Sequence, residues 1–193
     1  MACLINAGRL VECKDAIGGL KRIYLANFIE DYAFTLDGAA ESATQNQVKE
    51  LPVTVVFEYD LRPDLSGLTV NIGADSATGT TSFEQVLAFT LQQVKIKDAT
   101  QIQAMAQGQL FAFALDNNDN VWACGLRHGM DVTAGVVQTG ATRTELTGIN
   151  LTLTGIEPDS FLLLAPTAGV GTAKYPFDGI TTPNNITITQ GVA

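Results

Sequence analysis

The run LDNNDNVWACGLRHGMDVTAGVVQTGATRTELTGINLTLTGIE, residues 115–157, limits the fold more than any other part of the chain. It is a succession of short segments punctuated by Thr and Gly, and within it Ile149, Leu151 and Leu153 alternate with Asn150, Thr152 and Thr154. A period of two sends successive side chains to opposite faces of a sheet, so this half of the chain reads as strands. Asn117, Asn118, Asp119 and Asn120 lie between two apolar runs. Residues of these types tolerate positive φ or cap their own backbone, which predicts a hairpin turn there. The Thr-rich face of the 145–155 strand is either wet or an interface.

Strand-like alternation extends upstream. In residues 21–28, Ile23, Leu25 and Asn27 share one face while Arg22, Tyr24, Ala26 and Phe28 share the other. Both faces are partly apolar, so this strand is expected to be covered on both sides. A short strand is expected around residues 32–36, a strong one at 51–59 and another at 67–72. In SFEQVLAFTLQQVKI, residues 82–96, Phe83, Gln85, Leu87, Phe89 and Leu91 fall on one face, and the apolar positions then switch parity to Val94 and Ile96. Such a switch inside one strand implies a bulge or bend, as in a curved sheet. Phe83, Val86, Leu87, Thr90, Leu91 and Val94 also match helical spacing; strand is the preferred reading.

Residues 98–108 carry the clearest helix signal. Asp98 stands at the N-cap with Gln101 three residues on, Ile102, Met105 and Ala106 form an apolar stripe, and Gly108 can end the helix in the left-handed conformation. Further strands are expected at 109–115, 121–126, 130–139 and 145–155, and EPDSFLLLAP, residues 157–166, as an apolar turn over the end of the sheet. The fold class is mainly β: a sandwich or half-barrel with one flanking helix over about 98–107. Residues 1–166 form a single β-rich domain and 167–193 an extended C-terminal arm. Two segments stand outside the strand pattern. DGAAESATQNQVKE, residues 37–50, is longer than most hairpin connections, and such loops are often functional or mobile. The tail has Gly, Pro, Thr and Asn around Tyr175, Phe177, Ile180, Ile186 and Ile188. Anchors without a core of their own order against something else, either a neighbouring subunit or an edge of the same domain.

Composition narrows the partners. The 193 residues, 46% of them hydrophobic, suit one globular domain. With 20 Asp and Glu against 11 Lys and Arg, the electrostatic term that grips nucleic acid has the wrong sign, although an acidic wall lets DNA slide past. Cys3, Cys13 and Cys124 form no CxxC pair and the single histidine is His128, so a thiol-rich zinc site is not expected and the cysteines read as buried thiols. Residues 1–10 show no apolar leader and the longest strongly apolar run, 161–165, is far short of the roughly 20 residues needed to cross a bilayer, so a soluble protein of the cytosol is expected, with no membrane partner.

Candidate chemistry is sparse. Every Ser/His or Cys/His scheme must use His128, which sits in a Leu-Arg-His-Gly stretch that a hairpin turn explains. GATRTELTG and AGVGTAK lack the spacing of a phosphate loop and read as turns. Asp116 and Asp119 lie in a run without the Gly and terminal Glu of an EF-hand. Glu58, Asp60 and Asp64 read as a solvated face. No catalytic residue, cofactor or metal is therefore assigned.

Three stretches carry a resemblance: CKDAIGGLKRIYLANF, TTSFEQVLAFTLQQV, and NVWACGLRHGMDVTAGVVQTGATRTELTGINLTLTGIEP. Together, over roughly residues 13–158, the chain resembles virion structural proteins of tailed bacteriophages, in particular tail-tube-like subunits. The resemblance implies a non-enzymatic protein whose copies form rings, commonly hexameric, that stack into a hollow tail tube through which DNA passes without specific binding, beside other virion tail proteins. Its place would be the virion, after synthesis in the host cytoplasm. On this reading the 37–50 loop, with Asp37, Glu41, Gln47, Lys49 and Glu50, reaches the next ring. The tail, with Tyr175, Phe177, Ile186 and Ile188, lies on a neighbour. A tail terminator, a connector ring, a capsid decoration protein and a ligand- or receptor-binding β-module are the alternatives.

Overall fold

Alternation in LFAFALD puts Phe111, Phe113 and Leu115 on one face and Leu110, Ala112 and Ala114 on the other, and a computed structural model buries all seven residues. The structure describes residues 8–10, 14–30, 36–37, 47–165, 176–183 and 185–191. In chain order the elements are β1 (Leu20–Asn27), β2 (Leu36–Asp37), β3 (Gln47–Val48), β4 (Val55–Asp60), β5 (Gly67–Asp75), β6 (Thr80–Gln92), α1 (Asp98–Gln107), β7 (Leu110–Asp116), β8 (Val121–Cys124), β9 (Asp131–Gln138), β10 (Gly148–Glu157), β11 (Leu162–Leu164) and β12 (Thr187–Gln190). They make two sheets. The larger has eight strands in the order β12-β4-β1-β7-β8-β11-β3-β2 and the smaller has four, β5-β6-β10-β9; among the described residues neither closes into a barrel. The fold is mainly β with one helix, as expected for a sandwich.

Two cores share the larger sheet as a wall. Between the sheets, Ile23 and Leu25 of β1 and Ala112 and Ala114 of β7 meet Leu87, Phe89, Ile149, Leu151 and Leu153 of the smaller sheet, with Met105 of α1 closing one side. The small alanines of β7 lie where these large side chains approach, which keeps the packing dense. On the opposite face, Tyr24, Phe111 and Phe113 pack with Val48, Leu51, Val53, Leu162, Phe177, Ile180 and Ile186. Tyr24 and Phe113 both meet the Phe177 ring edge-on, at 5.3 Å and 5.4 Å. The strand expected to be covered on both sides is thus β1.

Several local expectations are corrected. β6 holds register with β10 from Phe83 to Gln92 without a slip, so its sequence contains no bulge. The parity switch marks the strand's end: Gln93 turns to φ 64°, and Val94 and Ile96 leave the sheet for solvent. The helix begins from a turn in which Asp98 N–H donates to the Lys95 carbonyl (3.0 Å), so Lys97 is already helical and is the N-cap, with no side-chain cap. Asp98 instead accepts from the Lys95 amide at 2.6 Å, and Gly108 is extended rather than left-handed. The 51–59 strand starts at Val55, and the 145–155 strand runs from Gly148 to Glu157. Of the strand placed around 32–36, Leu36 alone is described, in β2; its other residues lie outside the described set. The apolar segment 157–166 is not a cover over the sheet end, because its leucines form β11, inserted between β8 and β3.

Candidate functional site

The β7–β8 hairpin is organised by one carboxylate. Asp116 is 8% exposed. Its Oδ1 accepts from the Asn118 and Asn120 amides, both at 2.8 Å, and its Oδ2 accepts from Asn120 Nδ2 at 3.0 Å and Trp122 Nε1 at 3.1 Å. Burial alone would raise this carboxyl's pKa; the bonds from Asn120, Trp122 and Asn118 outweigh it and hold the group below its ordinary value. The turn also clasps the chain ahead of β1. Asn117 Nδ2 donates to the Gly18 carbonyl (2.6 Å), Asn118 exchanges bonds with Ile17, and Asp119 pairs with Lys21 at 2.6 Å. With these donors in place, Asp116 and Asp119 serve as turn and clasp rather than as calcium ligands, and the described residues contain no group of three or more potential metal ligands.

His128 occupies a second such turn. Glu157, 3% exposed, accepts through Oε1 from the amides of Arg127 (3.1 Å) and His128 (3.0 Å), while the His128 ring stays largely in solvent. Glu157 thereby fixes the chain where it crosses from β8 to β9. Cys124 is buried beside it; desolvation, and secondarily the charge of Glu157, push its thiol up to about 12. A thiol so shielded is a poor nucleophile.

The residues assigned to assembly are scattered over the fold. Glu41 and Tyr175 lie outside the described residues. Asp37 and Gln47 pair with each other across β2 and β3. The Lys49 carbonyl accepts from Thr181 N–H at 2.8 Å, and Glu50 bridges Thr182. Phe177 and Ile186 are buried in their own chain's core, and Ile188 is half-buried on β12, which pairs in parallel with β4. The described part of the 167–193 segment therefore folds back on its own domain, because its apolar anchors find room over β1 and β7. It is an edge, not an arm there.

Both sheets have outer strands, β12 and β2 in the larger and β5 and β9 in the smaller. Among the described residues β5 and β9 each have a strand on one side only. Directly paired residues share a face, and the outer face consists of rows such as Thr69, Val86, Thr154 and Asp131, then Ala88, Thr152 and Ala134, then Thr90, Asn150 and Val136. These rows are nearly free of charge. Of the carboxylates on this face, Asp75 and Glu84 lie toward the β5–β6 hairpin end and Asp131 ends the Thr69 row at mid-sheet. Exposed apolar residues sit at both ends and along the β9 edge: Ile72 (71% exposed), Ile156 (60%), Val137 (59%) and Ile96 (97%). Sequence reading took Phe83 through Ile96 as one bent core strand and missed Ile96; the signal was the parity switch itself, since a residue out of phase past a strand's end points to solvent. No family model, curated protein or solved structure matches the chain.

Proposed function

We propose that this protein is a structural subunit that assembles side by side into closed rings through its four-stranded sheet, and that the rings stack as the tail tube of a bacteriophage, a conduit for DNA. One observation carries the reading: among the described residues β5 and β9 each pair on one side only and carry no Lys or Pro, although α1 packs against β9 and a register shift interrupts its pairing with β10. Solitary proteins blunt edge strands with Lys, Pro or a cover. β5 reads GLTVNIGAD and β9 reads DVTAGVVQ, with neither residue type in either strand. Pairing β5 of one copy with β9 of the next removes both edges, and a closed ring removes them from every copy. The outer face supports the conduit. Its rows are mostly Thr, Ala, Val and Asn, its ionisable groups are the carboxylates Asp75, Glu84 and Asp131, and such a wall offers no cation to a phosphate backbone.

Negative-stain microscopy of the purified full chain tests this, with rings or tubes expected. Val136→Lys with Val137→Lys, which puts two charges on the β9 margin, is expected to leave folded monomers. Wild-type protein that stays monomeric at every concentration in sedimentation velocity would sink the proposal. Single rings that never stack would move the assignment to a terminator or connector.

A further inference from the structure

The loop after β6 differs from the rest of this acidic chain. Residues 94–97 read Val-Lys-Ile-Lys, all four are exposed, and Ile96 is 97% accessible, close to the limit for any residue. Among the described residues neither Lys95 nor Lys97 makes an ion pair. The loop is also held in place. Gln93 N–H donates to the Thr147 carbonyl at 2.9 Å, tying it to the β9–β10 connection, and the turn into α1 fixes its other end through Asp98. An isoleucine held in water between two lysines is costly to expose without a partner, at about 25 cal/mol per Å² of apolar surface.

The complement lies at the opposite end of the same strand. β6 enters from a hairpin whose turn is pinned by Asp75 Oδ1 accepting from the Ala77 amide at 2.8 Å. Glu84 stands on the outer face beside Ile156, its direct partner on β10, and Asp75 shares that face, while Ile72, paired with Phe83, belongs to the other face. This end is apolar and acidic; the other is apolar and basic. The thirteen residues of β6 separate the two ends by roughly 40 Å at about 3.3 Å per residue, so they cannot meet within one chain.

Resting on the assembly reading above, we infer that the 94–97 loop of one copy docks on the hairpin end of the next, with Ile96 against Ile156, and Lys95 and Lys97 facing Asp75 and Glu84. A contact between unlike patches at opposite ends of one subunit is head-to-tail and propagates, which makes it the axial, ring-to-ring contact and gives the stack a direction. Its charge pairs also set which end accepts which.

The test uses the full chain in sedimentation velocity and negative-stain microscopy, with circular dichroism as the folding control. Lys95→Glu with Lys97→Glu, and separately Asp75→Lys with Glu84→Lys, are each expected to raise the concentration needed for stacking by about tenfold or more while single rings persist. The four changes combined in one chain restore opposite charges across the contact and are expected to restore stacking, which a folding defect would not allow. Ile96→Asp is expected to abolish it. Four results overturn the inference. Wild-type rings that do not stack remove the axial contact and leave the ring reading in place. Stacks that persist unchanged in all variants do the same while leaving stacking itself intact. The absence of any assembly removes both. Binding of the wild type, but not Ile96→Asp, to phosphatidylserine vesicles, with stacking unaffected, would reassign the loop to an anionic lipid surface.

Discussion

The indole N–H of Trp122 donates to Asp116 Oδ2 at 3.1 Å, so the first strand after the hairpin turn is tied to the carboxylate that shapes the turn. Asp116→Ala leaves four donors without their acceptor, two of them main-chain amides. Asn118 and Asn120 are exposed, so water takes up part of the loss, and the cost expected is about 1–2 kcal/mol, read as a lower urea midpoint. Trp122 fluorescence should shift to the red in the same variant as its ring loosens from Phe161, 5.3 Å away. Asp116→Asn should be intermediate, since an amide oxygen replaces one acceptor and its NH₂ faces donors.

The same carboxylate predicts a pH dependence. Its folded pKa lies below the ordinary 3.8, so the unfolded chain binds the proton more readily. The stabilisation is complete above the ordinary value and is lost as pH falls through the depressed one. Urea midpoints measured from about pH 5 to about pH 3 should fall, and the fall should be shallower in Asp116→Asn. An identical slope in both proteins would assign the acid sensitivity to other groups.

Alkaline conditions act on the cores. Burial, then the neighbouring charge of Glu58, raises the Tyr24 phenol from 10.0 to about 12, and Cys124 is raised to about 12 from 9.0. Both groups ionise earlier in the unfolded chain, so their contribution is present below the ordinary values and drains away as pH rises toward the folded ones. A disulfide reagent should therefore label Cys124 in the folded protein at pH 8 only at the rate of unfolding, and fast labelling at native urea concentrations would contradict its burial.

Phe177 tests whether residues 176–186 belong to their own domain. Removing its ring in Phe177→Ala should cost about 3–5 kcal/mol, as for a large aromatic in a core. Gly179→Ala is a finer probe: a Cβ there would fall 2.2 Å from the Ala165 carbonyl oxygen, so the segment must shift off its seat. Both variants should lower monomer stability in urea regardless of protein concentration. A loss seen only at concentrations that support assembly would place these residues between subunits instead.

Local periodicity made much of this legible. The two-faced pattern of β1, the Asn-rich turn before Val121 and the Leu-Thr alternation of β10 each follow from side-chain direction along a strand, which the order of residues encodes directly. The parallel pairings of β12 with β4 and of β11 with β3 join residues far apart in the chain, and no local pattern specifies them. Phe177 and Ile186 could be recognised as anchors, but spacing by Gly, Pro and Thr does not tell which core an anchor joins. The candidate surface was hidden for a related reason. Ile72 and Ile96 have the composition of core residues, and they are exposed because Ile72 lies where β5 runs on toward its hairpin and Ile96 in the loop past the end of β6.

β7 is walled in on both sides, and each of its faces belongs to a different interior. Neither interior can dissolve while the other survives, since the strand that melts for one is the backbone of both. Limited proteolysis would accordingly yield either the intact core or small peptides, with no stable half to isolate.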